Sequence, residues 1–127
     1  MTHRKLDKSI SRSIYRALKR KKKGFIWEKT IGITYDELSS MLELGWTPEM
    51  NWENYGSYWV VDKIIPTSFY RYSDRINNEF QKAWSIKNLR PLTRVDHNRR
   101  GKHIDMDLVE LYSLYDILPI GKIIWQK

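Results

Sequence analysis

Two runs constrain this chain more than anything else in it: Tyr58-Trp59-Val60-Val61-Asp62-Lys63-Ile64-Ile65-Pro66 and Asn88-Leu89-Arg90-Pro91-Leu92-Thr93-Arg94-Val95-Asp96-His97-Asn98-Arg99-Arg100-Gly101-Lys102. The first reads as a β-strand, because aromatic and β-branched residues crowd together and Pro66 cannot extend a ladder. The second opens as a short strand over Leu89 to Thr93 and turns polar and basic from Asp96, as the start of an exposed helix would. A frame of strand, excursion, strand and helix can bring Asp62, at the end of one strand, beside Asn98 in the first turns of the helix. Two oxygen donors among Arg and Lys suit a hard cation such as Mg²⁺, placed where a phosphate would arrive.

These residues resemble the HNH (ββα-metal) endonucleases, in particular the small phage-borne enzymes with the pattern W-x-x-D-H-I-I-P … N-L-x-P-L … N-x-x-K-G. Met50-Asn51-Trp52-Glu53-Asn54-Tyr55-Gly56 is similar to the M-T-W-E-N-Y-G segment that precedes that pattern, and Leu92 to Lys102 is similar to the HNH domain of RNA-guided CRISPR effectors. The resemblance covers roughly Leu38 to Lys102. It implies an α+β fold on a ββα-metal (HNH/His-Me finger) core flanked by helices. It also implies a metal-dependent DNA endonuclease that hydrolyses phosphodiester bonds with one divalent cation, Mg²⁺ or else Mn²⁺.

Carried over by position, the resemblance makes Asp62 and Asn98 the metal ligands and Asn88 the structural Asn that braces the loop. Arg94, Arg99, Arg100 and Lys102 become phosphate contacts, Arg being suited to forked contacts. The general-base position holds Lys63 where the family has His. An ordinary Lys titrates near 10.4 and holds no lone pair at neutral pH, so the expectation is a site that binds DNA and cleaves it slowly or not at all. A neighbouring cation or burial would lower that value. His97 is expected about 100° round the helix from Asn98, and His103 also off its face, so neither is expected to stand in.

Composition sets the outer bounds. A chain of 127 residues with six Trp and eight Tyr suits one folded domain. We divide it into a basic helical part over 1–45, the core over 50–103, and a C-terminal helix and tail over 104–127. With no cysteine, disulfides and thiolate zinc sites are excluded. No apolar run approaches the roughly 20 residues of a membrane span, and the N-terminus lacks a secretory core, so an intracellular protein without membrane contact is expected. A net charge of +8 favours polyanionic partners. Double-stranded DNA is the expected partner, bound by a monomer or weak dimer.

The remaining segments read as scaffold. A helix is predicted over Ser9 to Lys22, with Ile10, Ile14 and Leu18 as its apolar stripe. The run Lys19-Arg20-Lys21-Lys22-Lys23 closes it as a further DNA-binding candidate. Phe25-Ile26-Trp27 suits either a short strand or a buried connection. Thr34 and Glu37 are at capping-box distance and open a helix that ends near Gly45. The aromatics Trp46, Trp52, Tyr55, Tyr58 and Trp59 read as core more than as a base-stacking platform. Ser73-Asp74 is the predicted cap of a helix reaching Trp84, and a last amphipathic helix is predicted from Asp105 towards Pro119. Two rivals to the nuclease reading share these features. One is a non-catalytic nucleic-acid-binding module; the other is a phage protein that uses the fold to bind a host protein.

Overall fold

The computed structural model describes residues 4–17, 26–71 and 77–119. Helix α1 (Arg4–Ala17) starts ahead of Ser9 because Leu6 adds a turn to the stripe of Ile10 and Ile14, and all three are buried. The basic run Lys19-Arg20-Lys21-Lys22-Lys23 lies outside the described residues. Where the sequence left a strand or a connection open, Trp27 begins a helix, α2 (Trp27–Ile31). Its buried residues Trp27 and Ile31 stand one helical turn apart, and the Trp27 indole Nε1 donates to Asp7 at 2.7 Å, pinning α2 to α1.

Helix α3 (Tyr35–Leu44) has the predicted capping box. Thr34 Oγ1 accepts from the Glu37 amide at 3.0 Å, and Glu37 Oε1 accepts from the Thr34 amide at 2.8 Å. Such caps contribute on the order of 1 kcal/mol each. Leu38 and Leu42 enter the core. At the helix end Gly45 allows close approach to the second strand, since a Cβ there would sit 3.0 Å from Pro91.

Strand β1 (Trp59–Lys63) and strand β2 (Leu89–Thr93) form one antiparallel pair, with Trp59 opposite Thr93, Asp62 opposite Arg90 and Lys63 opposite Leu89. The second strand has the predicted bounds. A two-stranded sheet cannot bury itself, and the aromatics supply the cover. Trp59 is fully buried, with the rings of Tyr55, Trp52 and Trp46 at 4.8, 5.4 and 5.7 Å from it. Its indole donates to the Asn51 carbonyl at 2.7 Å. These aromatics are core, as expected; Tyr58 alone of the five is exposed.

Helix α4 (Asn78–Ala83) is shorter than predicted and is capped by Asn77, whose side chain accepts from the Phe80 amide at 2.9 Å. The predicted cap, Ser73-Asp74, lies outside the described residues. Helix α5 (Arg94–Arg99) follows β2 directly, with Thr93 as its cap, so it starts two residues before Asp96. Helix α6 (Met106–Leu111) starts where predicted, with Asp105 as its cap, and stops early, and a 3₁₀ turn over Tyr115–Ile117 replaces part of its predicted extension. The result is an α+β arrangement: helices around one small antiparallel sheet, with α5 laid against both strands. Among the described residues no helix is long and apolar enough to cross a membrane.

Candidate active site

Asp62 is at the centre. The register places it opposite Arg90, and Arg90 Nε donates to Asp62 Oδ2 at 3.0 Å. Arg100 brings its Nε to 3.6 Å from the same oxygen and donates through Nη2 to the Ile64 carbonyl at 2.7 Å. The other oxygen, Oδ1, is 2.7 Å from His97 Nδ1. Asp62 is 1 % exposed, and a carboxylate that deep is tolerable only with such partners around it.

The imidazole of His97, not the amide of Asn98, therefore meets Asp62. The expected separation of about 100° between consecutive helix positions holds, but the side facing the strand belongs to His97. One turn on, Arg100 shares that side. Asn98 is exposed; it lines the same cleft as Asp62 without a hydrogen bond to it. A signal for this register was present. In the pattern N-x-x-K-G, the glycine sets the frame, and Gly101 puts His97 first and Arg100 in the Lys position. Gly101 has φ +70, a backbone state that glycine takes at least cost, so it is a better anchor than the choice of Asn over His.

Asn88 is fully buried, and its side chain braces the backbone, the structural part of the role that the resemblance implies. Its side-chain oxygen accepts from the Ile65 amide at 2.7 Å, and its nitrogen donates to the carbonyls of Ile65 at 3.1 Å and Ala83 at 3.0 Å. The backbone agrees, with the Ile64 amide donating to the Asn88 carbonyl at 2.9 Å. These bonds lock the chain just beyond Lys63 to the start of β2.

Lys63 leans across Trp84, its Nζ 3.3 Å from the ring centroid. Burial lowers its pKa to about 7, and the negative charge of Asp62 opposes part of that shift. The ordinary lysine value assumed from sequence therefore does not apply at this position. Lys63 borders both clefts described below.

The first cleft, about 420 Å³, is lined by Asp62, Lys63, His97, Asn98, Arg100 and Lys102, among others. Arg99 and Lys102 are exposed and have no acidic partner among the described residues. Arg94 is held in place, donating through its guanidinium to the Gly56 carbonyl. His103 is exposed and is not among the groups around Asp62.

The donor set can be tested against a divalent cation. No group of three or more His, Asp, Glu or Cys side chains stands together among the described residues, so an all-protein cage is excluded there. One buried carboxylate oxygen and one imidazole nitrogen 2.7 Å from it make a sparse donor pair, which suits an ion that keeps most of its water, as Mg²⁺ does.

No protein-family model matches the chain. Over 109 residues, 86% of its length, the chain is 23% identical to an uncharacterized protein of Acanthamoeba polyphaga mimivirus. It spans 47% of that relative, about half its length. No solved structure matches.

Proposed function

We propose that this chain is a metal-dependent nucleic-acid hydrolase of HNH type, built on a ββα-metal core and acting on phosphodiester bonds of DNA. The observation that carries the reading is the 2.7 Å approach of Asp62 Oδ1 and His97 Nδ1 at the floor of a cleft rimmed by Arg100 and Lys102. The residues that would hold a divalent cation are Asp62 and His97, with water and a phosphate oxygen as the remaining donors. Once bound, such an ion neutralises charge on the phosphate and acts as a Lewis acid. Arg100 and Arg90 fix the Asp62 carboxylate. Lys102 and Arg99 attract the phosphate. Lys63 Nζ, with its pKa lowered to about 7, can take a proton from water in the neutral form that part of the population holds at neutral pH. Asn88 holds the turn that carries it.

A second reading, a nucleic-acid-binding module without catalysis, draws on the same carboxylate. Arg90 and Arg100 already compensate Asp62 with positive charge, so the side chain is satisfied without an ion. Supercoiled-plasmid nicking separates the two. The hydrolase reading expects nicking with Mg²⁺ or Mn²⁺ that EDTA abolishes and that Asp62→Asn lowers by at least about 100-fold, with circular dichroism confirming that the variant is folded. DNA binding without nicking under any divalent metal would leave the binding module.

A further inference from the structure

A second cleft of about 640 Å³ lies on the far side of Lys63 and His97, between α1 and the sheet. Its walls carry Lys8, Arg12 and Arg16 from α1 and Lys63, Arg94 and His97 from the sheet side, with no Asp or Glu among the lining residues. The α1 contribution follows from helical period. Leu6, Ile10 and Ile14 are buried on one side, and positions 8, 12 and 16 recur at steps of four on another, all exposed. Lys5 is drawn to the carbonyls of Glu53 and Tyr55, both at 3.4 Å, and Ser9 Oγ is 2.6 Å from the Tyr55 hydroxyl, which fixes α1 as one wall. Asp7, the acid nearest these cations in sequence, is bonded to the Trp27 indole and is not part of the groove. Among the described residues Lys8, Arg12 and Arg16 have no ion-pair partner.

A row of cations without counter-charge repels itself, and a folded protein holds one at a cost that a polyanion removes. Lys63 and His97 border both clefts, so the α1 groove and the Asp62 cleft adjoin at these two side chains. The aromatic residues in its wall, Tyr55 and Trp84, are 7 % and 2 % exposed. They have no free face for bases to stack on, and what the groove offers is charge. We infer that the α1 groove is a binding track for the phosphate backbone of a DNA strand leading away from the phosphate at Asp62, held through Arg12, Arg16 and Lys8 without base readout. This inference rests on reading the Asp62 cleft as a nucleic-acid site, and it adds a surface on α1 that the motif residues do not include.

The test is fluorescence anisotropy of the full chain with a labelled mixed-sequence DNA duplex across a series of salt concentrations. It compares wild type, Arg12→Gln/Arg16→Gln, and Lys29→Gln/Arg71→Gln, which removes the same charge from exposed positions outside the groove. The groove variant is expected to bind at least tenfold more weakly at low salt. Its plot of log K against log salt should be shallower by nearly two, at about 0.9 per lost phosphate contact. The control pair should stay near wild type, and Arg12→Lys/Arg16→Lys should keep the slope. Wild-type affinity and slope in the groove variant, equal losses in groove and control variants, or no DNA binding by wild type would each overturn the proposal. Plasmid nicking measured on the same samples keeps the two readings separable. Nicking with an unaltered groove-variant slope removes the track and leaves the hydrolase. A flattened slope without any nicking supports the track and removes the hydrolase.

Discussion

Lys63→Met is expected to lower divalent-metal-dependent plasmid nicking by about 10²–10⁴-fold, the range for loss of a general base. Methionine can keep the packing against Trp84, since a thioether sits well on an aromatic ring, so the loss would report the amine and not the fold. The pH profile gives a second readout. Burial lowers Lys63 to about 7, and only the neutral amine accepts a proton. Wild-type activity should therefore rise with pH through that value and level off above it. Lys63→His brings a group that ordinarily titrates near 6.5. It should outpace wild type by a few-fold in mild acid, with the two converging in mild base. A Met variant as active as wild type would remove Lys63 from the chemistry.

Asn88→Ala is expected to cost about 3–5 kcal/mol of stability. The side chain is fully buried and satisfies three backbone groups, the Ile65 amide and the Ile65 and Ala83 carbonyls. Leaving a buried polar group unpaired costs about 1–3 kcal/mol, and the truncation removes the partner of three such groups at once. Urea denaturation gives the free energy directly, and the melting midpoint should fall by about 10 °C or more. A change below about 1 kcal/mol would mean that water or a backbone shift satisfies those groups. Because the same bonds fix the chain after Lys63, the variant should also lose nicking at temperatures where it is still folded.

What could be read in the sequence was local. The capping box at Thr34 and Glu37, the strand Leu89 to Thr93 and the stripe of Ile10 and Ile14 each follow from residues close to one another. The bracing role of Asn88 came from the resemblance and not from the residues around it. Longer-range choices were not. Whether His97 or Asn98 faces Asp62 depends on where α5 starts, and it starts at Arg94, capped by Thr93, not at Asp96. Moving a helix start by two residues turns its face by about 200°. The lowered pKa of Lys63 comes from burial beside Trp84, which no spacing reveals. Arg90 and Arg100 converge on Asp62 only through strand register and one helical turn. The groove on α1 needs the tertiary fold too, because the basic face that carries Arg12 and Arg16 becomes one wall of a cleft only when the sheet is placed opposite it.

His97 with Asp62 is the proposed metal-holding pair. Titration calorimetry with Mn²⁺ on His97→Ala and Asn98→Ala, each followed by plasmid nicking, distinguishes that pair from Asp62 with Asn98. His97→Ala is expected to lose both Mn²⁺ binding and nicking, while Asn98→Ala keeps both within a few-fold of wild type. Loss in Asn98→Ala, with His97→Ala binding and cutting normally, would contradict it.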